Sequence, residues 1–142
     1  MALNVLVVDD SAVMRAMIIK TLRLSGLPLH DIYEARNGEE GLHLLTQHWI
    51  DLVLLDLNMP VMNGEEMLVQ VRQNPETVDV PVVIVSTEGS ETRIAALRQQ
   101  GVEFVHKPFT PELVRETTRH MTGVSDAYDM EGGAIAGSGP DF

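Results

Sequence analysis

Residues 51–60 read Asp-Leu-Val-Leu-Leu-Asp-Leu-Asn-Met-Pro. The run Leu52–Leu55 is apolar with no polar residue between, so a strand built from it has no face suited to water. Strands of that kind belong in a parallel sheet covered on both sides by helices. The run stops at a carboxylate, Asp56, followed by Leu57-Asn58-Met59-Pro60.

The same pattern recurs outward in both directions. Asn4–Val8 and Val82–Val85 are almost continuously apolar, Val102–Val105 is a shorter run, and Ile32–Ala35 is a weaker one. Between these runs the apolar spacing changes to i, i+3, i+4, the period of a helix with one buried stripe. Residues 12–25 place Met14, Met17, Ile18, Thr21 and Leu22 on one stripe, and residues 38–47 place Leu42, Leu44 and Leu45. Met67, Leu68 and Val71 serve 65–73, Ile94 and Leu97 serve 90–100, and Leu113, Val114 and Thr117 serve 110–121. Thr110-Pro111 reads as an N-cap followed by proline at the first helical position. Strand and helix thus alternate five times, which predicts an α/β domain with a five-stranded parallel sheet and helices on both faces.

A chain of 142 residues suits one domain. It lacks cysteine, which excludes disulfides, thiolate metal sites and a cysteine nucleophile. The start, MALNVLVVDD, has no basic segment and does not read as a secretory signal. No run approaches the roughly 20 apolar residues of a membrane helix, so a soluble, cytoplasmic protein is expected. The net charge of −11 argues against nucleic acid and anionic lipid as partners and permits a divalent metal. Residues 123–142 hold five glycines, four acids and no base. The predicted division is a domain over 1–122 and an acidic, glycine-rich, disordered tail over 123–142.

Ligands of open parallel α/β sheets sit beyond the carboxyl ends of the strands. The first strand ends in Asp9-Asp10, the third in Asp56, the fourth in Ser86-Thr87-Glu88 and the fifth in His106-Lys107-Pro108. Two carboxylates about 5 Å apart repel by about 3 kcal/mol at an effective dielectric of 20. Three together must protonate, separate or bind a cation. An all-oxygen site with few carboxylates suits Mg²⁺. The lysine adds a point charge for a phosphate and the serine a hydrogen bond, which together meet the needs of phosphoryl transfer. A carboxylate, here Asp56, can itself be the nucleophile. Taken singly, Asp10 is as well explained as a helix cap, Ser86 as a turn residue and Lys107 as a solvated side chain; their conjunction carries the reading.

The segments VLVVDDSAVMR, EARNGEEGL, DLVLLDLNMPVMNGEEML, VPVVIVSTE and FVHKPFTPE, spread from Asn4 to Met121, resemble the response-regulator receiver family, and within it the single-domain, CheY-like chemotaxis regulators. The resemblance implies a flavodoxin-like fold with strand order 2-1-3-4-5. It implies that Asp56 accepts a phosphoryl group from a histidine kinase. Mg²⁺ would be held by Asp10 directly, by Asp9 through water, by Asp56 and by the Asn58 carbonyl. Ser86 would hydrogen-bond the phosphoryl group, and Lys107 would pair with it from a cis Lys107–Pro108 peptide. Phe104 corresponds to the switch aromatic, usually tyrosine in the chemotaxis regulators. Read without the resemblance, it is core. Asn58 and Glu88 occupy the positions that tune loss of the phosphoryl group, and an amide and an acid there resemble the fast-hydrolysing type.

With twenty residues after 122, output is expected through the receiver's own surface: the fourth helix, fifth strand and fifth helix, with Arg93, Arg98, Arg115, Arg119 and His120. The expected state is a monomer, and the expected partners are a histidine kinase, a phosphatase and a target such as the flagellar motor switch. No metabolic enzyme is expected beyond the protein's own phosphorylation and dephosphorylation. Phosphatases with an aspartyl-phosphate intermediate carry a second aspartate two residues past the nucleophile, where this chain has Asn58. Flavin or dinucleotide binding would require a Gly- or Ser/Thr-rich phosphate loop where Asp9-Asp10-Ser11 stands. A phosphorylation-independent adaptor and a receiver cut from a longer regulator are the remaining alternatives. The five histidines show no metal-ligand spacing, although His106 abuts the site. The methionines read as gap-fillers, Asn63-Gly64 as a turn and Trp49 as a cover for the end of the second helix.

Overall fold

Five strands form one sheet in the order β2-β1-β3-β4-β5, every neighbouring pair parallel. They are β1 (Leu3–Val8), β2 (Leu29–Ala35), β3 (Leu52–Leu55), β4 (Val82–Ser86) and β5 (Glu103–His106). The computed structural model describes residues 2–123. The predicted tail therefore lies, from residue 124 onward, outside the described residues.

Side chains alternate between the two faces of a strand, and both faces here are apolar. Val5, Val7, Leu52, Leu54, Val83, Val85 and Val105 point to one side, with Ile18, Leu22 and Val114 of the covering helices. Leu6, Val8, Val53, Leu55, Val82, Ile84 and Phe104 point to the other, with Met67, Leu68, Val71, Ile94 and Leu97. Leu6 and Leu55 are almost wholly shielded from water, and a leucine buried to that degree contributes about 2 kcal/mol.

The helices are α1 (Ala12–Leu24), α2 (Gly38–Gln47), α3 (Gly64–Gln73), α4 (Glu91–Arg98) and α5 (Pro111–Thr122). Each begins at a side-chain cap: Ser11, Asn37, Asn63, Ser90 and Thr110 accept the backbone N–H three residues on. Caps of this kind stabilise by about 1 kcal/mol each. Asn63 and Glu66 form a full capping box. α5 starts on Pro111 as expected and ends at Gly123, whose φ of 73° suits glycine. Among the described residues, no helix is long and apolar enough to cross a membrane.

Three sequence expectations need correction. The buried stripe of α1 is Ile18 and Leu22, while Met17 is 55% exposed. The buried positions of α5 are Val114 and Thr118, while Leu113 points outward. In each helix the centre of the expected stripe is kept and a border residue, Met17 or Leu113, turns outward, because the docked face sets which members of an apolar cluster go inward. Trp49 does not bury against the second helix: it is 78% exposed, and its ring N–H donates to Asp51.

Candidate functional site

Register places the first two carboxylates level. Val8 pairs with Leu55 at the ends of β1 and β3, so the next residues, Asp9 and Asp56, emerge side by side. Both backbones stay in the ladder for one more step: the Asp9 N–H donates to the Ala35 carbonyl at 3.0 Å and the Asp56 N–H to that of Val8 at 2.9 Å. On the far side of the sheet Ser86 pairs with His106, and the Lys107 N–H donates to the Ser86 carbonyl at 2.9 Å. The Lys107–Pro108 peptide is cis.

Asp9, Ser86 and Asp56 are buried, whereas Asp10 is exposed. Carboxylate oxygens of Asp9, Asp10 and Asp56 lie within 4.8 Å of one another. The Lys107 Nζ donates to Asp9 Oδ2 at 3.2 Å and lies 3.5 Å from Asp56 Oδ1. Asp9 Oδ1 also accepts the Ser11 N–H at 2.9 Å. The Ser86 Oγ accepts the Glu88 N–H at 3.2 Å. The Asp56 carboxyl is raised above its ordinary range, chiefly by burial, against the opposing pull of the Lys107 ammonium; the negative charge of Asp9 raises it further. An all-oxygen donor set with one exposed member, Asp10, fits a hard divalent cation that keeps some of its water.

Asn58 is exposed two residues beyond Asp56, at the start of a tightly built loop. The Met62 N–H donates to the Pro60 carbonyl at 2.7 Å, closing a three-residue turn on Val61. Val61 has a φ of 66°, a conformation costly for a β-branched residue. The Gly64 N–H then donates to the Leu57 carbonyl at 3.0 Å, and a Cβ at Gly64 would lie 2.2 Å from the Asp56 carbonyl oxygen. Glycine is therefore required there by close backbone approach, beyond the turn that Asn63-Gly64 suggested.

Phe104 is buried in the sheet face covered by α3 and α4, its ring centroid 4.7 Å from that of His106. Glu88 accepts the Ser90 N–H at 2.9 Å and pairs with Arg93. Its carboxyl is lowered, first by the Ser90 N–H and then by Arg93, against some burial. One participant, Arg15, and the internal partner of another, Arg93, were missed in the sequence. Arg15 on α1 donates to the Asp9 carbonyl at 2.7 Å and to Glu34 at 2.9 Å; its place one turn after the Ser11 cap was the available signal. Arg93 on α4 also takes both oxygens of Glu65 on α3, a contact across 28 residues that no local pattern announces. Of the cations expected on the output face, Arg93 is thus engaged within the fold. Arg115 reaches the Ser25 carbonyl at 3.4 Å, and His120 lies 3.9 Å from Glu103.

The sequence pattern of the response regulator receiver domain matches residues 5–119. The chain belongs to the response-regulator receiver family. Among other receiver-containing proteins, it is 37% identical over 123 residues to the chemotaxis protein CheY homolog of Campylobacter jejuni, covering 85% of this chain and 93% of that protein. The receiver fold superposes on that of Vibrio cholerae chemotaxis protein CheY4 with a TM-score of 0.74 at 30% identity, covering 85% of this chain and 99% of that one. It also matches a chain of the CheX–CheY–BeF3–Mg²⁺ complex from Borrelia burgdorferi with a TM-score of 0.74 at 26% identity, covering 83% and 87%. The five-stranded order observed here is the one expected of receivers.

Proposed function

We propose that this receiver is a chemotaxis response regulator, phosphorylated on Asp56 by a histidine kinase. The observation that carries the reading is the meeting of Asp9, Asp10 and Asp56 with Lys107 and Ser86 beyond the carboxyl edge of one sheet. An Asp56 carboxylate oxygen attacks the phosphorus of a phosphohistidine; the O–P bond forms as the P–N bond breaks, and the imidazole leaves with a proton. Lys107 neutralises charge on the incoming phosphoryl oxygens, and Ser86, which has its hydroxyl proton free to donate, holds one of them.

Asp9, Asp10, Asp56 and the Asn58 carbonyl would hold a Mg²⁺, which would supply positive charge to the transfer. Support comes from the donor chemistry of the cluster and from the Mg²⁺ in the Borrelia burgdorferi CheX–CheY complex. Phe104 is the switch aromatic, and Asn58 and Glu88 tune the lifetime of the phosphoryl group. Partners are a histidine kinase, a dephosphorylating protein and a target such as the flagellar motor switch, met by a cytoplasmic monomer.

Intact mass after incubation with acetyl phosphate tests the reading. One phosphoryl group should be gained by the wild type with Mg²⁺ and none by Asp56→Asn or without Mg²⁺. No gain under rapid quenching would point instead to a phosphorylation-independent adaptor.

A further inference from the structure

We infer that Arg93 is a positioning residue, a latch that ties the loop after Ser86 to α3 and slows entry of a phosphoryl group onto Asp56. The inference rests on the phosphoacceptor reading above. Arg93 lies in the first turn of α4, and its guanidinium uses three donors. Nε donates to Glu65 Oε2 at 3.3 Å, Nη2 to Glu65 Oε1, and Nη1 to Glu88 Oε1. The first pair is a two-pronged arginine–carboxylate contact, which fixes orientation as well as charge.

Both carboxylates are anchored to the site. Glu65 follows Gly64, whose backbone lies against the Asp56 peptide and donates to the Leu57 carbonyl at 3.0 Å. Glu88 sits two residues past Ser86, and its N–H donates to the Ser86 Oγ at 3.2 Å. The Arg93 bridge therefore completes a chain of contacts that runs from Asp56 through Gly64, Glu65, Arg93 and Glu88 to Ser86. The chain ties together the two groups that must approach one another when a phosphoryl group on Asp56 recruits the Ser86 hydroxyl. Movement of Ser86 toward the phosphoryl group pulls on the Glu88 N–H, and Arg93 and the Ser90 N–H hold the Glu88 carboxylate in place. A state in which the latch is broken is then closer to the phosphorylated arrangement, and a two-state loop biased toward it accepts the phosphoryl group more readily.

The test is the rate of Asp56 phosphorylation by acetyl phosphate with Mg²⁺, followed by intact mass, in which the Asp56 O–P bond forms and acetate leaves. Arg93→Ala and Glu65→Gln should each accelerate it by roughly three- to tenfold, the range of one or two partly exposed ion pairs. The double variant should be no faster than Arg93→Ala, because both remove one interaction. Arg93→Lys, which keeps the charge but lacks the fork, should fall between. Added NaCl should narrow the difference between wild type and Arg93→Ala, which a role in helix stability alone would not do. Equal rates in all variants, with wild type phosphorylated normally, would overturn the latch and leave the receiver function standing. Acceleration in Arg93→Ala with Glu65→Gln at the wild-type rate would also overturn it, placing the effect in the charge of Glu88 alone. Absence of phosphorylation in the wild type would sink both.

Discussion

The ammonium of Lys107, just past β5, lies 3.2 Å from the carboxylate of Asp9, just past β1, although β3 and β4 run between their strands. The lysine spans the edge of the sheet, and 13% of its side chain is exposed. It pairs with two buried acids, since Asp56 Oδ1 is 3.5 Å away. Removing one partner of such a group leaves uncompensated buried charge. Lys107→Met should therefore lower stability at pH 7 by about 3 kcal/mol, read as a lower urea midpoint. The loss should shrink in acid, as Asp56, whose carboxyl is raised by burial, takes up its proton. A variant as stable as wild type at pH 7 would mean that Asp9 and Asp56 are better solvated than their burial indicates.

Asp56 gives a pH dependence of definite sign. Its folded pKa is raised, mainly by burial, above an ordinary aspartate value of about 3.9. Between those two values the folded chain binds more protons than the unfolded one. Stability contributed at this site is therefore full below the unfolded pKa and is lost as pH rises through the folded pKa. Asp56→Asn keeps the shape and removes the charge. In metal-free buffer it should be more stable than wild type at pH 7 by about 1 kcal/mol, and the gap should close below pH 4. A variant less stable than wild type at pH 7 would show that the Lys107 contact outweighs the burial.

These two predictions concern residues that the sequence had already brought together, and the reason is physical. Apolar runs without alternation identify the strands, and whatever follows a strand of a parallel sheet must emerge at its carboxyl edge, so Asp9, Asp56, Ser86 and Lys107 were legible. Helix phase was less so: Met17 and Leu113 satisfied the apolar spacing of their helices yet face outward. The docked face is chosen by tertiary contact, and methionine or leucine at its border can lie on either side. The bridge from Glu65 to Arg93 was illegible, because it depends on the first turns of α3 and α4 meeting across a sheet edge. Gly64 was legible as a turn residue but not as a point of backbone contact.

That contact makes Gly64→Ala informative. The added methyl would meet the Asp56 carbonyl oxygen at 2.2 Å and the Leu57 Cα at 2.9 Å, both backbone atoms with little freedom to retreat. Overpacking of this kind costs about 3 kcal/mol. Thermal unfolding should report that loss, and the displaced Asp56 should take a phosphoryl group from acetyl phosphate more slowly than in wild type. By contrast, Gly89→Ala meets nothing within 4 Å and should leave the melting temperature within about 2 °C of wild type. Equal melting temperatures for both variants would mean that α3 shifts freely relative to β3.

Mg²⁺ bound as proposed should stabilise the folded chain, because the carboxylate cluster exists only when β1 and β3 are paired. Oxygens of Asp9, Asp10 and Asp56 lie within 4.8 Å of one another, and Lys107 pairs with two of the three acids. The unfolded chain has no such cluster, so binding adds RT ln(1 + [Mg²⁺]/Kd), about 1.4 kcal/mol at ten times the dissociation constant. Melting temperature should rise with MgCl₂ and level off little under added NaCl of equal ionic strength. Asp10→Ala tests the site most cleanly, since that residue is exposed and its removal leaves the Asp9–Lys107–Asp56 contacts in place. In that variant the Mg²⁺-dependent rise should fall by more than half while the metal-free melting temperature changes little. A rise that persists in Asp10→Ala would place the bound ion elsewhere on this acidic surface.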